Sequence, residues 1–228
     1  MTGRSWLIAP VMALAALTGT GGAAFAQEGR IEVGAGGIWL AGSRLGSANA
    51  TLTRNQGSPS DRFTLFRTES DLEAVGGFDA RLAVHLTRII SVEAGVAVSR
   101  PRVRTAISAD VENSAAISAT EDLAQYFIDV GAVVHLTRLR FAGRIVPFVA
   151  AGGGYLRQLH EGRTLVETGR VYRVGGGVTL PLLSRTRRLL KSAGARADAR
   201  AYIRDGGFDL GDKSRSFGAI SAGLYVRF

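Results

Sequence analysis

Ser216-Phe217-Gly218-Ala219-Ile220-Ser221-Ala222-Gly223-Leu224-Tyr225-Val226-Arg227-Phe228 is the stretch on which the fold turns. Ile220, Ala222, Leu224, Val226 and Phe228 recur at every second place, and Ser221, Gly223, Tyr225 and Arg227 fill the places between. A period of two is that of an extended chain, whose successive side chains point to opposite faces. One face of this strand is apolar throughout and the other is polar or small.

Other segments repeat the pattern. In Phe78–Leu86, Phe78, Ala80, Leu82, Val84 and Leu86 oppose Asp79, Arg81 and His85. In Tyr126–Leu136 the apolar places oppose Asp129 and His135, and in Ile90–Ser99 they oppose Ser91, Glu93 and Ser99. Ala197, Ala199, Ala201 and Ile203 oppose Arg196, Asp198, Arg200 and Arg204. A helix would spread these charges around its surface, whereas a strand sorts them onto one side. The pattern predicts eight strands, near residues 30–40, 73–86, 89–103, 123–136, 143–157, 168–180, 195–204 and 216–228. Most reach the ~9–11 residues with which a tilted strand crosses a bilayer. Between them, long polar segments (41–72, 104–122, 158–167, 205–215) alternate with shorter ones at Thr87-Arg88 and 137–142. A membrane barrel has this asymmetry, with long outer loops and short periplasmic turns. The turn across 181–194 is longer and basic, and reads as a solvated turn.

The start of the chain supports export. Arg4 precedes the uncharged run Leu7–Leu17, and Ala24-Phe25-Ala26 offers a small-x-small cleavage site. Residues 1–26 therefore read as a cleaved signal peptide and 27–228 as one barrel domain. The apolar run is too short to span ~30 Å of hydrocarbon. There is no cysteine in the chain, which excludes disulfides, thiolate metal sites and a lipidated cysteine after the signal. Of 28 Lys and Arg against 19 Asp and Glu, only Arg4 leaves with the signal, so the net charge falls from +9 to +8. In an exported chain that balance points to lipid and lipopolysaccharide phosphates rather than nucleic acid.

Three segments carry a family resemblance. Pro147-Phe148-Val149-Ala150-Ala151-Gly152-Gly153-Gly154-Tyr155 resembles the Pro-Tyr-Val-Gly-Ala-Gly-x-Gly-Tyr strand of small OmpA-like outer-membrane barrels. Ala197–Arg204 resembles the penultimate strand of that group, and Gly223–Phe228 its closing strand. Ile220, Ala222, Leu224, Val226 and the terminal Phe228 resemble the C-terminal signal read by the barrel assembly machinery. The resemblance implies an all-β, eight-stranded, antiparallel up-and-down transmembrane β-barrel of the OmpA/OmpX/OmpW sort, a monomer in the cell outer membrane. It also implies outer-membrane lipids, lipopolysaccharide and the assembly machinery as partners.

In such a barrel Glu32, Asp79, Arg81, Glu93, Asp129, Arg173, Asp198 and Arg200 fall on the inner face near mid-height. Eight strands enclose only enough room for side chains. An unpaired charge there costs several kcal/mol, so an ion-paired plug is expected, with a narrow path for ions or small hydrophobic molecules as the alternative. Trp39, Phe78, Tyr126, Tyr155 and Tyr172 fall near the outer strand ends, where an aromatic girdle belongs.

Catalysis and cofactors find little support. His160 lies beside Glu161, but neighbours on a strand point apart. No GxSxG motif occurs, so a lipid-modifying enzyme is the least favoured reading and no catalytic residue is expected. Val33–Gly37 and Val174–Val178 are glycine-rich but lie inside strands, where glycine gives room rather than a phosphate loop. No calcium-loop pattern occurs, and neither a metal nor another cofactor is expected. The pentapeptide Val-His-Leu-Thr-Arg occurs twice, at Val84–Arg88 and Val134–Arg138. Each copy ends a strand at a periplasmic turn, with one strand between the copies. Their backbones should stand about 10 Å apart, awkward for sharing a metal.

Overall fold

The computed structural model describes residues 30–53, 62–108, 117–142, 144–160, 166–184, 190–206 and 215–228. Residues 1–26, expected as a signal peptide, Glu161 and most of the basic turn after Ser184 lie outside the described residues. The described chain forms strands β1 (Ile31–Leu40), β2 (Ser43–Thr53), β3 (Arg62–Leu72), β4 (Val75–His85), β5 (Ile90–Ser99) and β6 (Arg102–Ser108). It continues through β7 (Ile117–His135), β8 (Val146–His160), β9 (Val166–Ser184), β10 (Ser192–Gly206) and β11 (Arg215–Arg227).

Eight of these close on themselves. The order β7-β5-β4-β1-β11-β10-β9-β8 returns to β7 through the β7–β8 pairing, and every pairing is antiparallel. The ring has no free edge, so every ladder bond is satisfied within the wall. The alternation read from the sequence sets the two faces. Phe78 is 80% exposed on the outside, along with Ile128, Val130, Val174, Ile220 and Leu224. Their neighbours Asp79, Asp129, Arg173 and Ser221 are buried in the lumen. An apolar exterior around a charged interior is the inverse of a water-soluble barrel and suits a hydrocarbon solvent.

Two segments expected as loops are strands. Among the described residues of 41–72, Ser43–Thr53 and Arg62–Leu72 form β2 and β3, and those of 104–122 form most of β6 and the first part of β7. These pair as β2-β3-β6-β7 in a four-stranded sheet standing beyond the rim. The sheet continues the barrel strands after short interruptions, one at Arg100-Pro101, where proline has no N–H to give to the ladder. Glu73 N donates to Arg102 O at 2.9 Å and Leu123 N to Pro101 O at 3.0 Å, so hydrogen bonding carries across the step. Leu45, Val103 and Leu123 make a small buried core at the base, with Leu72 packed against it. Residues 158–167 and 205–215 are also shorter as connections than expected, because β8 to β11 run further outward.

Candidate functional site: the filled lumen and its two mouths

Inward positions along each strand stack into layers. The central layer holds Arg81 (β4), Arg173 (β9), Arg196 and Arg200 (β10) against Asp79 (β4), Glu93 (β5), Asp129 (β7) and Asp198 (β10). Arg81 bridges Asp79 and, at 2.7 Å, Asp198. Arg200 contacts Asp198 at 2.7 Å and Asp79 at 3.5 Å. On the other side Arg173 reaches Asp129 at 2.7 Å and Glu93 at 3.2 Å. Arg196 ties the halves together, 2.5 Å from Glu93 and 3.3 Å from Asp198. Its guanidinium also lies 4.3 Å from the centre of the Phe148 ring. Ser221 Oγ donates to Asp198 at 2.9 Å.

Four arginines thus meet four carboxylates, so the layer is neutral by count. Arg196 was not among the eight candidates, although its phase two residues before Asp198 places it on the same face. Glu32, which was among them, lies lower. It holds Arg227 at 2.6 Å and His85 at 3.2 Å near the end where β1 begins and β11 finishes.

Glycine makes room for this layer. Gly154 stands opposite Asp129 and Gly177 opposite Asp198 across their strand pairs. A Cβ at Gly154 would lie 2.7 Å from Asp129 Cβ, and one at Gly177 would lie 2.5 Å from Asp198 Cβ. Any side chain would displace the carboxylate-bearing residue.

Above the charges lies an apolar storey that the alternation did not foretell. Ile38, Leu40, Phe127, Leu156, Val171 and Tyr202 point inward and are buried. Tyr202 packs on Phe217 at 5.3 Å and Phe127 at 5.5 Å between ring centres. Arg200 Nη1 donates to the Tyr202 hydroxyl at 3.2 Å, which joins this storey to the one below. Higher still, Gln158 Nε2 donates to Gln125 Oε1 at 3.0 Å. His160 Nδ1 lies 2.8 Å from Glu121 Oε1 on β7. The histidine therefore faces the lumen and is 6% exposed; its carboxylate neighbour is Glu121. Beneath the charged layer a cavity of about 10 Å³ remains, room for about one water.

Outside, the five aromatic candidates point away from the lumen. Phe78 and Tyr126 share a rung through Val98, Tyr155 pairs with Ile128 one step lower, and Tyr172 pairs with Gly153. Trp39 lies between Gly76 and Ile220. On the last strand Ile220, Leu224 and Phe228 face outward, and Phe228 N donates to Ile31 O at 2.9 Å.

At the lower mouth the histidines of the repeated pentapeptide do meet. The His85 and His135 rings stack at 5.3 Å between centres, spanning the backbone gap left by the intervening β5. His135 Nε2 lies 3.3 Å from Ser91 Oγ. Among the described residues no group of three or more His, Cys, Asp or Glu is arranged to hold a metal.

No family model and no curated protein matches the chain. Solved structures do. The outer membrane protein OprG from Pseudomonas aeruginosa aligns with a TM-score of 0.51 at 10% identity, over 88% of this chain and 96% of that one. Ail, the attachment invasion locus protein of Yersinia pestis, aligns with a TM-score of 0.40 at 15% identity, over 89% and 100%. The outer membrane protease OmpT from Escherichia coli aligns with a TM-score of 0.38 at 9% identity, over 89% and 98%. At such identities the OprG likeness speaks for fold alone, and the fold is that of the eight-stranded outer-membrane barrels.

Proposed function

We propose that this eight-stranded outer-membrane barrel is a non-enzymatic envelope protein with a closed interior, acting in structure and surface interaction. The observation that carries this reading is the filling of the lumen by successive ionic, apolar and amide layers. The ionic and apolar layers each draw side chains from at least five strands across the interior, and the amide pair adds a contact between neighbouring β7 and β8. Interaction then belongs to the projecting sheet. Among the described residues, the upper part of β2 pairs only with β3 and the start of β7 only with β6. Their outer edges carry unpaired backbone groups of the kind that accept an added strand. Outer-membrane lipids and lipopolysaccharide surround the wall in this reading, the barrel assembly machinery inserts it, and the protein works as a monomer.

Planar-bilayer recording of the refolded protein tests the closed interior. The expected trace is silent, and discrete, long-lived openings would overturn it. The enzymatic alternative centres on His160 and Glu121, the close imidazole–carboxylate pair at the outer end. That pair is turned inward, away from surrounding lipid. Lipid A mass profiles from cells carrying His160→Ala should match those of cells carrying the unaltered protein; a difference would support catalysis.

A further inference from the structure

The structure points to a second site at the opposite end: we propose that the periplasmic mouth is a binding cup for a phosphate group. A cavity of about 260 Å³ opens there. It is only slightly smaller than the ~300–1,000 Å³ of typical ligand clefts. Arg88 enters it from the β4–β5 turn, Arg140 and Arg144 from the β7–β8 connection, and Arg227 from β11. His85 and His135 form part of its wall, and Thr137, Thr179, Ser192 and Tyr225 contribute hydroxyls.

The chemistry of this lining is one-sided. Every polar side chain in it can donate a hydrogen bond, and no carboxylate belongs to it. Glu32 lies deeper in the lumen, between the cup and the central layer, and is already held by Arg227 and His85. Arg88, Arg140 and Arg144 make no ion pair with a carboxylate among the described residues. Three guanidinium groups around a recess of hydroxyl donors is an arrangement that a multiply charged oxyanion satisfies. Guanidinium forks match phosphate oxygens two at a time.

The repeated pentapeptide finds its role here. The first copy supplies His85 and Arg88 to the cup, and the second supplies His135 and Thr137. The duplicated strand end delivers equivalent histidines to one recess from two strands that are not neighbours, while Arg88 and Thr137 come from different places in the two copies. Arg88, Arg140 and Arg144 sit between strands, on the connections β4–β5 and β7–β8, and Arg227 ends β11. The phosphate could be carried by a phospholipid headgroup of the inner leaflet or arrive free in solution, and the same groups would hold either.

The test uses the mature chain refolded in maltoside micelles, which contain no phosphate. Amide shifts of Thr137 and Ser192 are followed by NMR on adding inorganic phosphate, and separately on adding phosphatidylglycerol to the micelles. Sodium chloride at matched ionic strength is the reference. The expected result is a saturable shift beyond that of chloride. Saturation by both probes assigns a free phosphate as sufficient, and saturation by the lipid alone assigns the headgroup as the source. Arg88→Gln, Arg140→Gln and Arg144→Gln should each weaken the midpoint about tenfold, and the lysine versions should retain part of it. Arg102→Gln, on the outer sheet, should leave it unchanged. Retained heat-modifiable gel mobility establishes that each variant is folded. Shifts no greater than with chloride for both probes, or a triple glutamine variant that saturates like the unaltered protein, would overturn the proposal.

Discussion

Glu93 offers the sharpest probe of the closed lumen. Its side chain is 1% exposed and its two oxygens are shared between Arg196 at 2.5 Å and Arg173 at 3.2 Å. Glu93→Gln keeps the shape and removes one of four central carboxylates, leaving four arginines against three acids. Arg196 retains Asp198, at the longer distance of 3.3 Å, and Arg173 retains Asp129. Breaking a buried pair by removing one partner costs about 3–5 kcal/mol, since the charge left behind is uncompensated. Most of that penalty should vanish when the opposite charge is also removed. Glu93→Gln combined with Arg196→Met restores the balance at three against three and should recover at least about 2 kcal/mol of the loss. Urea unfolding in lipid vesicles, followed by gel mobility and tryptophan emission, measures the parent, Glu93→Gln, Arg196→Met and the double variant. A single variant that loses under about 1 kcal/mol would mean that water screens the layer as it does a surface pair. A double variant no better than the sum of its singles would likewise refute a dry, coupled network.

Three further outcomes check the wall. Gly177→Ala would put a Cβ 2.2 Å from the Ala197 carbonyl oxygen and should cost about 1–3 kcal/mol in the same unfolding assay, the usual price of overpacking. Gly76→Ala, where a Cβ meets nothing within 4 Å, should stay within about 0.5 kcal/mol of the parent. Of the chain's two tryptophans, Trp39 is the one among the described residues, and it is 47% exposed on the outer face. Its emission should be quenched strongly by lipids brominated in their acyl chains and weakly by iodide in solution; the reverse would put this wall in water.

Much of the barrel was legible because a strand between lipid and a polar lumen must alternate. Asp79 and Asp129, each six places before the histidine of a repeated pentapeptide, fixed the phase of two strands at once. The outer sheet was hidden for the converse reason. Ser43–Thr53 meets water on both faces above its base, so nothing forces a period on it, and Leu45 alone hints at a buried side. Ile38 and Leu40 are apolar on the inward phase while Trp39 is apolar on the outward one, so alternation vanishes where the lumen turns apolar. Arg196 was readable from the Arg-x-Asp-x-Arg spacing of β10. The partners of Glu32 were not, because Arg227 reaches it only through the pairing of the first strand with the last. The meeting of His85 with His135 depended on side-chain reach, which strand spacing alone does not give.

That first-to-last pairing governs how the molecule comes into being. β1 and β11 are the most distant strands in the chain and immediate neighbours in the wall, joined from Glu32↔Arg227 to Leu40↔Ala219. A contact of such sequence separation bears a large loop-closure cost and forms late. Until it forms, the chain is an open curved sheet with two raw edges, and Glu32 lacks its Arg227 partner. The seam therefore acts as a clasp, since the ring closes only where the two strands furthest apart in the chain meet.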